Sequence, residues 1–133
     1  MWIISLKFTF VTLFSNLIEP YFHDSILKRA IESNFISYEF YNPRDFTTNK
    51  HKKVDEQMVG GGAGMLLTCQ PLFDCLDEIK SKNADAYIVF PLAAAKPFRQ
   101  NDAKRLKKKK NIVFVSGRYE GIDERVIEKY ANE

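Results

Sequence analysis

Short apolar runs alternate with amphipathic segments along most of the chain. Four of these runs, at residues 3–12, 35–40, 86–90 and 111–115, have the length and composition of buried strands. Between them, apolar residues recur every three to four positions, which is typical of helices that pack against a sheet. Strands that alternate with helices predict an α/β fold with a mostly parallel sheet and flanking helices, and near-continuous apolar strands agree with burial of such a sheet on both faces.

Polar residues that can accept hydrogen bonds from free backbone N–H groups mark the predicted starts of three helices. Asp24 precedes a helix with apolar residues at positions 26, 27, 30 and 31, and Asp123 precedes the final helix. Asn101 or Asp102 is expected to begin a short helix that extends to about Lys108. A fourth helix is expected after position 70, because a proline there suits its first turn. Its buried stripe is expected to contain Leu72, Cys75, Leu76 and Ile79.

The composition is that of one globular domain of 133 residues, with 45% hydrophobic and 28% charged residues. A net charge of +3 permits an anionic partner such as RNA without requiring one. Cys69 and Cys75 form no CxxC motif, and His23 and His51 are far apart, so the sequence indicates no metal site. No apolar run reaches the roughly eighteen residues of a membrane-spanning helix, and Lys7 interrupts the apolar start, which favours a first strand over a secretion signal.

The segment between the strand at 111–115 and the final helix is the strongest candidate for a functional site. It contains Gly117, Arg118, Tyr119, Glu120 and Gly121 in a strand-to-helix loop, where ligands of open α/β sheets bind. The two glycines allow the backbone to approach a ligand closely, and a carboxylate at position 120 would suit an ammonium or sulfonium group. The acidic residues at 123 and 124 have a structural explanation, because carboxylates stabilise the start of a helix.

A second glycine cluster lies at residues 60–64. A dinucleotide fingerprint would have to follow a strand, and a P-loop would need a Gly-Lys-Ser/Thr sequence, so both nucleotide motifs are weak here. Glycine loses more backbone entropy than other residues when it becomes ordered. We therefore favour a backbone surface that lies against a flat ligand such as a base, and a flexible linker is the alternative.

Two basic clusters lie at residues 50–53 and 104–110. The second ends a predicted helix, where cations complement the helix dipole and solvate the surface, and this explanation is favoured over contact with phosphates. Both clusters would also suit a non-catalytic RNA-binding or interaction remnant, which is the alternative function that the sequence leaves open.

The loop and the glycine cluster resemble the signatures of the bacterial tRNA (guanine-N1)-methyltransferases, the TrmD family. Residues 117–125 read Gly-Arg-Tyr-Glu-Gly-Ile-Asp-Glu-Arg, which is similar to the main signature of that family. Val54-Asp55 followed by Gly60-Gly61-Gly62-Ala63-Gly64-Met65 resembles its second signature. Pro43-Arg44-Asp45-Phe46 and Gln70-Pro71 follow the family order too. The family's usual residues are replaced at Glu56, Met58, Val59, Phe90 and Ala93.

The resemblance implies an S-adenosylmethionine-dependent enzyme with the SPOUT fold, an α/β domain with a deep trefoil knot, that acts as a cytoplasmic homodimer. It implies methylation of N1 of the guanosine next to the tRNA anticodon. Magnesium is implicated in the activity of the family. The residues implied to bind the cofactor are Ile88, Val89, Phe90, Pro91, Gly117, Tyr119, Glu120 and Gly121. Those implied to face the tRNA and its guanine are Asp55, Gly60, Gly61, Gly62, Gly64 and Arg118.

The implied chemistry needs more than these residues. Guanine N1 carries a proton that must leave before N1 attacks the methyl group, and a positioned carboxylate base contributes about 10²- to 10⁴-fold to such a step. Arg118 is a candidate to stabilise charge on the guanine oxygen, but the resemblance implies that the catalytic aspartate and arginine of the family lie beyond the position of Glu133. We therefore expect that this chain alone neither completes the knot nor transfers a methyl group, and that residues 88–90 and 112–115 are partly uncovered.

Overall fold

The four predicted strands form one parallel sheet in the computed structural model, which describes residues 5–48, 55–57, 65–67, 69–92, 95–116 and 121–133. In chain order the elements are β1 (Leu6–Val11), α1 (Ser15–Ile18), a 3-10 helix (Glu19–Phe22), α2 (Ser25–Glu32), β2 (Ile36–Tyr41), a second 3-10 helix (Pro43–Phe46), β3 (Asp55–Gln57), β4 (Met65–Leu67), α3 (Cys69–Lys82), β5 (Tyr87–Val89), α4 (Gln100–Leu106), β6 (Asn111–Val115), β7 (Gly121–Ile122) and α5 (Glu124–Tyr130). The expected α/β class with flanking helices is confirmed.

The strand order in the main sheet is β2-β1-β6-β5, and every neighbouring pair is parallel. Phe10 at the centre lies opposite Phe40 of β2 and Phe114 of β6, and Phe114 lies opposite Val89 of β5. Because all four strands run in the same direction, their carboxyl ends meet at one edge of the sheet, which is where ligands of open α/β sheets bind.

The first face of the main sheet carries the larger core. The stripe predicted for α3 is confirmed, since its four residues are almost completely inaccessible to solvent. Together with α5, this stripe packs on the alternate strand residues that point to the same face. The residues with no accessible surface include Val11, Leu72, Leu76, Ile88, Val113, Val115 and Val126.

Aromatic side chains cover much of the second face. The ring of Phe10 lies 5.4 Å from that of Phe40, 5.9 Å from that of Phe114 and 5.8 Å from that of Phe22, measured between centroids. A smaller buried cluster forms where Leu106 of α4 packs on β5 and β6. Phe10 and Phe114 stay partly exposed, so the second face is less completely covered than the first.

A small second sheet joins β3, β4 and β7, and the hydrophobic pattern did not predict it. β3 pairs with β4 in the antiparallel sense, and β4 pairs with β7 in the parallel sense, with Leu66 opposite Gly121 and Leu67 opposite Ile122. The sequence of β3 is wholly polar and β7 has only two residues, so neither shows the apolar run of a buried strand. The side chain of Ile122 joins the first-face core, which ties the small sheet to the large one.

Two of the three predicted helix starts are confirmed and one is wrong. The carboxylate of Asp24 accepts a hydrogen bond from the Ser25 N–H at 2.7 Å, and α2 follows it. Asp123 caps α5 in the same way. The third helix, α4, starts earlier than expected, with Arg99 as its N-cap, and it ends at Leu106. Asp102 lies inside the first turn and accepts the backbone N–H of Arg99 at 2.9 Å, so its carboxylate stabilises the helix start without being the cap.

The expectation that residues 88–90 and 112–115 are partly uncovered is wrong for all of them except Phe114, since the other six are at most 7% exposed. Packing on both faces explains the burial. Residues of α3 and α5 cover Ile88, Phe90, Val113 and Val115 on the first face, and Leu106 covers Val89 and Ile112 on the second. Asn132 lies along the outer edge of β5, where its N–H donates to the carbonyl of Ile88 and its side-chain oxygen accepts the N–H of Ile88, both at 2.8 Å.

In the part of the chain that the structure describes, every helix is too short or too polar to cross a lipid bilayer.

Candidate active site

The carboxyl ends of β5 and β6 lie side by side, and each strand leads towards one of the predicted cofactor segments. β5 leads directly into Phe90 and Pro91, and β6 leads through Ser116 towards the signature loop. The parallel register sets Val89 opposite Phe114, so both strands end at the same edge. Of the signature residues assigned to the cofactor, Gly117, Tyr119 and Glu120 lie outside the described residues, as does Arg118, while Gly121 begins β7.

A cavity of about 560 Å³ opens at this edge, on the second face of the sheet. Its walls consist mainly of carbon atoms, which suits a flat apolar ligand part such as a purine ring. The lining residues are Val89, Phe90, Pro91, Leu92, Ala95, Lys96, Pro97, Phe98, Asp102, Phe114 and Glu133. Three of the four predicted cofactor residues on β5 and after it therefore contribute to the wall. The fourth, Ile88, points into the first-face core and has no accessible surface.

A cluster of ion pairs forms the polar wall of the cavity. The guanidinium of Arg105 binds both carboxylate oxygens of Glu133, one of them at 2.7 Å, and one oxygen of Asp102 at 3.0 Å. The hydroxyl of Tyr87 donates to Glu133 at 3.0 Å. Hydrogen bonds from Arg105 hold the pKa of Glu133 below its usual value, and the N–H of Arg99 together with Arg105 does the same for the pKa of Asp102. Both carboxylates therefore remain charged at neutral pH and are already paired.

The small sheet brings together the strands that follow the two glycine-containing segments. β4 starts directly after residue 64 and β7 directly after residue 120, and these two strands are hydrogen-bonded neighbours that run in parallel. Asp55, which was predicted to face the tRNA, lies on β3 opposite Leu67. Gly60, Gly61, Gly62 and Gly64 fall outside the described residues.

A family model described as tRNA (Guanine-1)-methyltransferase TrmD matches residues 6–133. The chain belongs to this family. The tRNA (guanine-N(1)-)-methyltransferases of Sulfurovum sp. (strain NBC37-1) and Sulfurimonas denitrificans (strain ATCC 33889 / DSM 1251) are 66% and 62% identical to it over 128 residues. Those alignments cover 96% of this chain but 56% and 55% of the two relatives, so the chain spans about half of their length.

A solved structure has the same fold as this TrmD-family chain. The crystal structure of tRNA (m1G37) methyltransferase from Aquifex aeolicus superposes with a TM-score of 0.86 at 28% sequence identity. The superposition covers 95% of this chain and 57% of that one. The resemblance noted in the sequence motifs is therefore confirmed, both by the family and by the arrangement of the described elements.

Two further motifs that resemble the TrmD family pack against each other. Residues 43–46 form the second 3-10 helix, in which Asn42 accepts the N–H of Arg44 at 2.9 Å. Gln70, at the start of α3, donates its amide to the carbonyl of Phe46 at 2.6 Å and accepts the N–H of Thr48 at 3.4 Å. The Gln70 amide also lies 2.5 Å from the carboxylate of Asp74. Gln70 thus fixes the point at which the chain leaves this 3-10 helix towards β3.

Sequence reasoning missed part of the cavity wall. Phe98, Phe114 and Asp102 line it, but none of them was assigned to the site. Phe114 belongs to the strand before the signature loop. Its neighbours on that strand are apolar and buried, so nothing in the sequence indicated that Phe114 itself is partly exposed. Phe98 lies between β5 and α4, outside any helix or strand, and is 63% exposed, so no hydrophobic period marks it.

Among the described residues, no three His, Cys, Asp or Glu side chains are grouped closely enough to hold a metal ion.

Proposed function

We propose that the cavity at the carboxyl ends of β5 and β6 binds S-adenosylmethionine, and that the chain is part of an enzyme that methylates N1 of the guanosine next to the tRNA anticodon. The observation that carries the proposal is the position of the cavity. It lies where the residues implied by the family resemblance, Val89 to Pro91, meet the strand that precedes the signature loop. Its volume of about 560 Å³ lies within the range of about 300–1,000 Å³ that is usual for small-molecule sites.

The residues of the chain have distinct roles in this proposal. Pro91, Phe98 and Phe114 supply apolar surface on which an adenine ring can lie. Tyr119 and Glu120 would complete the pocket, with the carboxylate near the positive charge of the cofactor. The bound cofactor supplies a methyl group attached to a sulfonium, which is an electrophile that guanine N1 can attack.

The target base is proposed to bind on the side of the small sheet. Asp55 and the glycines at 60–62 and 64 would face the tRNA, since glycine backbone can lie flat against a base. Arg118 would stabilise charge on the guanine oxygen as the N1 proton leaves. Magnesium is not assigned to any of these residues.

We further propose that cofactor binding resides in this chain, whereas methyl transfer needs the part of the relatives that the chain does not cover. The support is that this chain by itself forms a cavity of a size usual for small-molecule sites, although it matches only about half the length of these relatives.

Isothermal titration with S-adenosylmethionine tests the cofactor site. Leu92 lies at the rim, is 38% exposed and lines the cavity, so Leu92→Trp should fill the cavity without disturbing the core. Ala84→Trp is the matched control, because Ala84 is exposed in the turn between α3 and β5 and does not line the cavity. We expect saturable binding by the unmodified chain, at least tenfold weaker binding by Leu92→Trp and unchanged binding by Ala84→Trp. Absence of binding, or equal affinity of all three proteins, would contradict the proposal.

Methyl transfer is tested with two tRNA transcripts that carry G or A next to the anticodon. Nucleoside mass spectrometry should detect 1-methylguanosine only in the G transcript and only with the longer Sulfurovum relative, which serves as the positive control. Product formed by this chain alone would contradict the need for the remaining half. Failure of the relative to methylate the G transcript would contradict the proposed reaction.

A homodimer is also proposed, and exposed apolar side chains support it. Leu17 of α1, Tyr21 of the first 3-10 helix and Ile26 of α2 are 71%, 72% and 74% exposed, and no residue of α2 is buried although the helix is strongly amphipathic. Such a surface favours association with another protein surface. Sedimentation of Leu17→Glu/Ile26→Glu should give a smaller species than the unmodified chain, whereas Lys28→Glu, at an exposed polar position of α2, should not change the mass. An unmodified chain that sediments as a monomer would contradict this dimer.

Cytoplasmic location and the knotted topology stay predictions.

A further inference from the structure

Five lysines crowd the turn between α4 and β6, and we call them the basic patch: Lys104, Lys107, Lys108, Lys109 and Lys110. All five are exposed. The backbone carbonyl of Lys110 accepts the N–H of Lys7 at 2.9 Å, which places the turn at the amino ends of β1 and β6. The turn from Lys108 to Lys110 is therefore at the opposite end of β6 from the candidate active site, whereas Lys104 lies on α4 and Lys107 directly follows it.

The charge of the basic patch is not neutralised within the described part of the chain. No salt bridge there involves any of the five lysines, whereas the neighbouring Arg105 is paired with Asp102 and Glu133. Lys109 instead lies over the ring of Tyr87, 4.8 Å from its centroid. Without these five lysines, the chain would have 15 basic and 17 acidic residues and a net charge of −2 in place of +3. The basic patch thus accounts for the whole positive excess.

The helix dipole explains only part of this cluster. Its effect is confined to the last turn of a helix, and α4 ends at Leu106, so Lys108, Lys109 and Lys110 lie beyond it. Five like charges within seven residues repel each other, and this repulsion destabilises the folded chain unless an anionic partner binds there.

We propose that the basic patch binds the phosphate backbone of the tRNA substrate at a position remote from the methylated base. The choice of RNA rests on the proposed function. A lipid surface fits less well, because Leu106 is the one apolar residue between Lys104 and Lys110 and it is 2% exposed, so no apolar side chain of the turn can enter a bilayer. Lysines on an exposed turn provide point charges for phosphates without reading the base sequence.

The basic patch does not line the cavity, although α4 carries a residue of each: Asp102 lines the cavity and Lys104 belongs to the basic patch. The turn from Lys108 to Lys110 lies at the other end of β6, whose five residues span about 17 Å at about 3.3 Å each. Substitutions in the basic patch should lower affinity for tRNA without changing the cofactor site.

Fluorescence anisotropy with a labelled tRNA transcript, repeated over a range of salt concentrations, tests the proposal. The variant is Lys107→Gln/Lys108→Gln/Lys110→Gln. The matched control, Lys28→Gln/Arg29→Gln/Lys129→Gln, removes the same charge from exposed or half-exposed positions of α2 and α5. Each lost phosphate contact reduces the slope of log K against log salt by about 0.7–0.9. For the variant we expect this slope to fall by about 2–3 and the affinity for tRNA to be at least tenfold weaker. For the control we expect less than a twofold change in affinity.

Each alternative outcome has a definite meaning. Equal losses in the variant and the control would show that net charge alone is responsible, and would overturn the proposal. A larger loss of binding to phosphatidylserine vesicles than to tRNA would overturn it in favour of a membrane surface. Titration of the same variant with S-adenosylmethionine separates the two proposals, because unchanged cofactor binding is expected. The unmodified chain and the variant could both fail to bind the cofactor while the salt dependence of tRNA binding is reduced in the variant and not in the control. In that case the proposed function fails and the RNA-binding surface stands.

Discussion

The packing of α3 on the main sheet makes a quantitative prediction at Leu76. This side chain has no accessible surface and lies in the first-face core between α3 and the strands. Leu76→Ala removes about three buried carbon groups, worth about 2.4 kcal/mol at about 0.8 kcal/mol each, and leaves a cavity that raises the total. Buried Leu→Ala substitutions cost about 2.7–5.0 kcal/mol when the site collapses only partly. We expect a loss of about 3–4 kcal/mol in the free energy of unfolding.

Urea denaturation followed by circular dichroism measures this loss. With a slope of about 2 kcal/mol per molar urea, the midpoint should fall by about 1.5–2 M. Glu128→Ala is the control, because Glu128 is exposed on α5 and its truncation should change the free energy by less than about 0.5 kcal/mol. Ile79→Val, in the same stripe, is a milder variant that should cost about 0.5–1.5 kcal/mol and should fold even if Leu76→Ala does not.

The result that would refute this reasoning is a cost below about 1 kcal/mol for Leu76→Ala, or a cost equal to that of Glu128→Ala. Either would mean that α3 does not bury this stripe against the sheet. Because Leu76 packs on the first face and the cavity opens on the second, S-adenosylmethionine affinity measured without urea should be unchanged in Ile79→Val.

Three further predictions concern the start of α5, the stability in acid and a buried thiol. Asp123→Ala should cost about 1 kcal/mol in urea denaturation, because the carboxylate accepts the backbone N–H of Arg125 at 3.0 Å at the start of α5, whereas Asp123→Asn should retain most of the stability. Acid should destabilise the chain, since hydrogen bonds hold the pKa values of Asp102, Asp123 and Glu133 below their usual range. The folded state then binds fewer protons than the unfolded one, so this stability is complete above about pH 4.5 and is lost as the pH falls through the folded pKa values, and thermal melting between pH 3 and pH 6 should show it. A midpoint that does not change over this range would contradict that assignment. Burial raises the pKa of the Cys75 thiol to about 12, so Cys75 should resist alkylation at pH 8 until the chain is unfolded, as peptide mass spectrometry would report.

The two confirmed helix caps and the one incorrect cap show what local sequence can determine. Asp24 and Asp123 each precede a helix, and the carboxylate of each accepts a backbone N–H at its start. Asp102 has the same chemistry, but it lies in the first turn of α4, because its carboxylate can reach back to the N–H of Arg99 from there. A carboxylate stabilises a helix start from either position, so the sequence located the start only to within a few residues.

The hydrophobic period of the sequence determined the four strands of the main sheet, the helices between them and the stripe of α3, because each depends on neighbours that are close along the chain. The signature residues identified the family, because each signature is a short contiguous segment. Only the tertiary structure decided the order β2-β1-β6-β5, the small sheet and the cavity between Val89, Phe98 and Phe114. These features depend on contacts between residues far apart in sequence, and the energy of such contacts leaves no local period. The hydrogen bond from the N–H of Ile88 to the side chain of Asn132, 44 residues later, is a contact of this kind.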